Sequence, residues 1–203
     1  MSDAASYSVS DGIAVIVMNN PPVNGLGSVL RPGIVEGMNK AAADPAVKAL
    51  VIIGSAKAFS GGADIREFNT PKSSLSPTLP EINEAQDEFK KPMVAAIGGF
   101  ALGGGLELAL GCHYRVAAPK TLLGLPEVKL GILPGFNGTA RSIHQVGPMA
   151  AMQNMLTGGM IRAGAKRVET HPDPHCPTPT GLRRGCRAVV ALLESGSGMT
   201  ALS

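Results

Sequence analysis

Short apolar runs punctuated by Gly, Pro and Asn recur along the chain, and stretches of helical periodicity separate them. Residues 12–18, Gly-Ile-Ala-Val-Ile-Val-Met, predict a buried strand closed by Asn19-Asn20-Pro21-Pro22. Ile34, Val35, Met38 and Ala42 fall at helical spacing, which predicts a helix over 31–43 stopped by Asp44-Pro45. Further strands are expected at 49–53, 93–97 and 113–117, and further helices at 81–90, 139–145 and 149–156. The first of these three helices reads as exposed. Three prolines with Ser and Thr between 68 and 80 read as a mobile surface loop. A glycine-dense turn at 98–105 runs into an apolar helix. Strands alternating with helices predict an α/β fold with parallel pairing and no internal repeat.

Composition narrows the picture. In 203 residues, 44% are hydrophobic and 16% charged, enough for one core and too apolar for global disorder. Glycine (26) and proline (16) are abundant and aromatics only 3%, which disfavours an aromatic stacking platform. The net charge of +3 is carried largely by the tail. Residues 1–164 hold 13 basic and 12 acidic side chains, and residues 165–203 hold 5 and 3. A nucleic-acid surface is therefore not expected. Neither a bilayer-spanning run nor a secretory signal is visible, and Cys112, Cys176 and Cys186 stand at unrelated spacings. A reduced, cytoplasmic setting is the expectation.

Several common motifs fail. The chain has no phosphate-binding P-loop, and Leu108 breaks a Gly-x-Gly-x-x-Gly reading of the Gly103 cluster, so no nicotinamide cofactor is expected. There is no nucleophile elbow for a catalytic serine. His171, His175 and Cys176 invite a metal site, but Pro172 and Pro174 exclude the helix that would align the two imidazoles. No metal is expected.

Two glycine-rich segments carry the candidate chemistry. Residues 58–65 (Ala-Phe-Ser-Gly-Gly-Ala-Asp-Ile) turn sharply and expose amides, and Gly103-Gly104-Gly105 opens a helix whose first N–H groups lack internal partners. Two such donors converging on one carbonyl would form an oxyanion hole. Taken singly, either segment also reads as an ordinary tight turn. Glu107 interrupts the apolar helix beside Leu106 and Leu108, and Glu127 follows Leu125-Pro126 in another apolar stretch. Such carboxyls are either exposed or salt-bridged surface groups, or a buried acid–base pair flanking a reactive centre.

The ordered set Phe-Ser-Gly-Gly-Ala-Asp-Ile, Ala-Leu-Gly-Gly-Gly-Leu-Glu-Leu-Ala and Leu-Pro-Glu-Val-x-Leu-Gly-x-x-Pro-Gly resembles the crotonase (enoyl-CoA hydratase/isomerase) superfamily. The stretch Gly-Leu-Glu-Leu-Ala-Leu-Gly-Cys-His-Tyr-Arg is similar to the hydratase portion of the multifunctional fatty-acid β-oxidation enzymes. The resemblance covers about residues 10–163 and implies a spiral of ββα units that assembles as trimers. It implies an enoyl-CoA hydratase adding water across the 2,3 double bond. Ala63 and Gly104 N–H would hold the thioester oxygen, Glu107 would activate water at Cβ, and Glu127 would deliver the proton at Cα. Ser60, Gly61, Gly62, Asp64 and Ile65 would help hold the CoA moiety, with Lys57 and Arg66 as phosphate contacts. The coenzyme A thioester is then the substrate, with no resident cofactor. The presence of both glutamates favours hydration over a Δ3-Δ2-enoyl-CoA isomerase, which needs only the residue matching Glu127, although both activities could coexist.

After Gly164 the resemblance lapses. Pro172, Pro174, Pro177 and Pro179 crowd the next stretch, so residues 1–164 read as a crotonase-like domain and 165–203 as a poorly ordered tail with one short helix at 188–193. This pattern reads as a truncated or frame-shifted C-terminus. It raises the rival expectation of a remnant that binds acyl-CoA or a partner subunit without turnover. Sequencing the coding DNA tests it: another frame after codon 164 is expected to restore family-like helices, and their absence there would remove the basis for a frameshift.

Overall fold

The structure, a computed structural model, describes residues 4–55 and 57–163. The tail, its proposed helix, and His171, His175, Cys176 and Cys186 lie outside the described residues. The elements in chain order are β1 (Ala5–Ser10), β2 (Ile13–Met18), α1 (Arg31–Ala43), β3 (Ala49–Ile53), α2 (Leu79–Glu88), β4 (Met93–Ile97), β5 (Phe100–Leu102), α3 (Gly104–Leu110), β6 (Tyr114–Ala117), β7 (Leu122–Gly124), α4 (Gly138–Val146), α5 (Pro148–Thr157) and β8 (Met160–Arg162). Single 3-10 turns form at Ile65–Glu67, Pro71–Ser74 and Glu127–Leu130.

Among the described residues, five strands form one sheet in the order β1-β2-β3-β4-β6, and β5-β7-β8 form a smaller one. The β2–β3, β3–β4 and β4–β6 pairs are parallel, as expected for a sheet entered through helical crossovers. Every residue of β3 and β4 is buried, which is why both read as unbroken apolar runs. Alternate side chains serve different faces. Ile16, Leu50, Ile52, Met93 and Ala95 join the main core with Leu30, Ile34 and Met38 around α1. Val15, Val51, Ile53, Val94 and Ala96 form a second cluster.

The chain repeats a strand–strand–helix cycle. In the later cycles the first strand enters the large sheet and the second the small one, as β4 and β5 do before α3. After β3, Ser60 supplies the second position through a single parallel bridge to Ala101. The loop bearing Ser60 is thereby laid beside β5 and the turn into α3.

The structure differs from expectation in several places, and none of the short strands β5, β7 and β8 of the small sheet was anticipated. β1 was not anticipated because serine fills every second position. It forms an antiparallel hairpin with β2 through Asp11-Gly12, both at positive φ as a two-residue turn requires. Helix α2 begins at Leu79 rather than at residue 81. Thr78 and Glu81 close a capping box there, and Pro80 sits in the first turn, where its missing N–H matters least. That helix is also not simply exposed: Ile82, Asn83 and Gln86 are buried, and Gln86 Nε2 donates to Leu108 O at 2.9 Å. The segment expected as a loose loop at 68–80 carries a 3-10 turn, and its Lys72 and Leu75 carbonyls accept hydrogen bonds from Arg31.

Candidate active site

The Ser60 loop and the α3 turn meet because several backbones approach where no side chain would fit. A Cβ at Gly105 would stand 2.5 Å from Ser60 O, and one at Gly62 would stand 2.8 Å from Leu102 O. Gly103 adopts φ 52° and ψ −131°, a conformation that L side chains rarely accept, and a Cβ there would reach within 3.0 Å of Glu127 Oε1. The glycines flagged in the sequence are thus steric requirements of one junction.

A cavity of about 300 Å³ opens at that junction, with Ala63, Gly104, Glu107, Glu127, Leu133 and Phe136 in its lining. Gly104 is the first residue of α3, so its N–H has no partner within the helix. Among the described residues, Ala63 N–H donates to no backbone acceptor. The ideal Cβ position of Gly104 lies 3.3 Å from Ala63 N, so the two amides are near neighbours.

Both glutamates are almost completely buried, at 2% and 7% exposure for Glu107 and Glu127. Glu107 Oε1 accepts two backbone hydrogen bonds of 2.8 Å, from Phe136 N–H and Gly138 N–H at the start of α4. A Cβ on Gly138 would strike Glu107 Oε1 at 2.6 Å, so glycine is needed for this embrace. Burial pushes the Glu107 carboxyl up to about 6; the amides of Gly138 and Phe136 oppose the rise and the charge of Glu127 adds to it. Burial also raises Glu127, whose Oε2 has no hydrogen-bond partner among the described residues. One cavity therefore holds two carboxyls that ionise reluctantly, one anchored through backbone amides and one with an oxygen to spare.

The remaining expected residues divide. Gly61, Gly62, Asp64 and Ile65 line the cavity, and Ile65 is exposed at its rim. Ser60 does not line it. Its buried hydroxyl donates to Asn24 O at 2.7 Å and accepts from Gly62 N–H at 3.1 Å, bracing the loop from behind. Asp64 caps the turn that follows and pairs with exposed Arg66 at 2.8 Å. The Arg66 guanidinium holds the Asp64 carboxyl below its usual range. Lys57 is exposed and away from the cavity lining. Phe136 and Gly138 were not foreseen, although Asn137-Gly138 is a turn signal, with Asn137 left-handed at φ 67°. Arg31 and Glu67 also line the cavity unforeseen.

The sequence profile of the family described as enoyl-CoA hydratase/isomerase matches residues 8–168. The chain belongs to that family. Its relatives include the peroxisomal bifunctional enzyme of Danio rerio, 49% identical over 155 residues that cover 76% of this chain and 21% of the relative. The probable enoyl-CoA hydratase of Bacillus subtilis (strain 168) is 38% identical over 180 residues, covering 81% of this chain and 70% of that protein. This chain therefore spans about a fifth of the length of the bifunctional relatives it matches. Among solved structures, an enoyl-CoA hydratase from Bacillus anthracis is 28% identical with a TM-score of 0.73, covering 79% of this chain and 65% of that one. Pseudomonas aeruginosa DspI is 27% identical with a TM-score of 0.76, covering 98% and 82%. The fold is that of the crotonase family. The name of the Danio rerio relative gives that protein a peroxisomal setting, unlike the cytoplasmic one expected above. Among the described residues no helix is long and apolar enough to cross a membrane.

The raised Glu107 value makes a stability prediction. A carboxyl whose value is higher in the folded protein binds more protons there than when unfolded, so stability falls as pH rises from about 4.5 through about 6. The ionised group then costs about 2 kcal/mol. Glu107→Gln keeps an oxygen for the two amides without the charge. It is expected to be more stable than the parent by about that amount at about pH 8, with the advantage fading towards about pH 5. Urea unfolding at the two pH values checks this, and a pH-independent difference would contradict the burial argument.

Proposed function

We propose that this chain hydrates enoyl-CoA thioesters, as the two buried glutamates facing one cavity, beside two amides with no backbone acceptor among the described residues, best support. Ala63 and Gly104 N–H would donate to the thioester oxygen. Negative charge grows on that oxygen as water adds at Cβ, so donors fixed in advance lower the barrier without having to reorganise. Glu107, ionised, takes a proton from the water, which attacks Cβ. The electron pair of the double bond moves into the thioester to give an enolate. Glu127, protonated, delivers its proton to Cα as the enolate collapses to the 3-hydroxyacyl thioester. The roles exchange in dehydration.

The two environments suit these roles. Glu107 has Oε1 held by the amides of Phe136 and Gly138, which fixes the carboxyl as an aimed base requires, and its value of about 6 leaves it ionised at neutral pH. Glu127 is held up by burial and has one oxygen uncommitted among the described residues, which suits a group that carries a proton. An isomerase could work with Glu127 alone, and the anchoring of Glu107 would then serve no chemistry. The proposed steps use only side chains and backbone amides, with the CoA thioester as substrate.

Hydration of crotonyl-CoA, followed as loss of the conjugated thioester absorbance, tests the reading. Glu107→Gln and Glu127→Gln are each expected to reduce turnover by about 10²- to 10⁴-fold with acyl-CoA binding retained. In the parent, kcat/KM should rise with pH through about 6 as the pair loses its first proton. Turnover close to the parent's in either variant would overturn the assigned mechanism.

A further inference from the structure

Arg31, in the first turn of α1, is 4% exposed and lines the same cavity as the two glutamates. A cation so deeply placed needs partners, and most of those it finds are backbone carbonyls across the cavity. Its Nη2 donates to Lys72 O and to Leu75 O, each at 3.0 Å. Its Nη1 reaches Leu26 O at 3.5 Å and lies 3.7 Å from Glu67 Oε2. Glu67 is itself held by Ser28, accepting from its N–H at 2.9 Å and from its hydroxyl at 2.7 Å. The two carbonyls that Nη2 grips bracket Ser73, and Ser73, Thr78 and Leu79 form part of the cavity lining. This stretch holds only a 3-10 turn before α2, and exposed Leu75 gives it little apolar anchorage of its own. One guanidinium thus ties the wall at 72–79 to the body of the fold.

We propose that Arg31 is a specificity-determining positioning residue: by clamping the carbonyls of Lys72 and Leu75 it fixes that wall and limits the length of acyl chain the cavity accepts. Its hydrogen-bond and ion-pair partners among the described residues include neither Ala63, Gly104, Glu107 nor Glu127, so its influence falls on the tail of the substrate. The planar fork is essential, because a single nitrogen must face two carbonyls while its neighbour faces Leu26 and Glu67. This inference rests on the reading above only in that an acyl-CoA occupies the cavity.

The test measures the binding of butanoyl-CoA and dodecanoyl-CoA to the full chain by titration calorimetry. In Arg31→Met the wall loses its clamp, and the affinity ratio of the long to the short thioester is expected to rise about tenfold. Arg31→Lys keeps the charge but cannot serve the two carbonyls and the Leu26 and Glu67 side at once, so it should raise the ratio by about threefold, and it carries the test alone if Arg31→Met does not fold. A general loss of structure would weaken both ligands alike, and an unchanged or lower ratio overturns the proposal. A shifted ratio in a chain without hydratase turnover supports the clamp while refuting the hydratase reading. Failure of the parent to bind either thioester overturns both.

Discussion

Two carboxyl groups are kept from water inside one cavity, and the local architecture is arranged around that constraint. A buried carboxylate is costly unless hydrogen bonds replace its hydration. The structure supplies them to Glu107 from the backbone N–H groups of Phe136 and Gly138, at the entry to α4 where amides have no partner within the helix. This requires glycine at 138, a left-handed Asn137, and α4 packed against α3. Glu127 receives less: burial raises it too, and its Oε2 has no hydrogen-bond partner among the described residues. The two carboxyls thus sit in different environments, which is what the proposed acid and base roles require.

The same economy of space operates on the backbone. The Ser60 loop can lie beside α3 only because Gly62, Gly104 and Gly105 have no side chains to separate them. The parallel bridge from Ser60 to Ala101 ties that contact to the small sheet, and the hidden Ser60 hydroxyl stiffens the loop from inside. Position is therefore set by β-pairing and sterics, before any substrate arrives. An oxyanion hole gains most from such preorganisation, since donors already in place need not move during reaction.

Much of this was legible in the sequence where the physics is local. β3 and β4 are covered on both faces, so their residues form continuous apolar runs that periodicity detects. The glycine segments and the two glutamates stood out because charge and conformational freedom are unusual in apolar surroundings. What escaped was long-range or masked by polarity. β1 hides behind alternating serines, and α2 buries Asn83 and Gln86, residues that read as solvent-facing. Ser60 resembled a ligand contact until its hydroxyl was found turned towards Asn24. The anchors of Glu107 lie about thirty residues away in sequence, and the carbonyls clamped by Arg31 more than forty. Neither pairing leaves a local signature.

The central claim is that Ala63 and Gly104 present their amides to one thioester oxygen with Glu107 and Glu127 on the reacting carbons. A crystal structure of the chain with a saturated acyl-CoA tests this most directly. The thioester oxygen is expected about 2.7–3.1 Å from both amide nitrogens, with the two carboxyls flanking Cα and Cβ. A thioester bound elsewhere, or one whose oxygen meets neither amide, would contradict it.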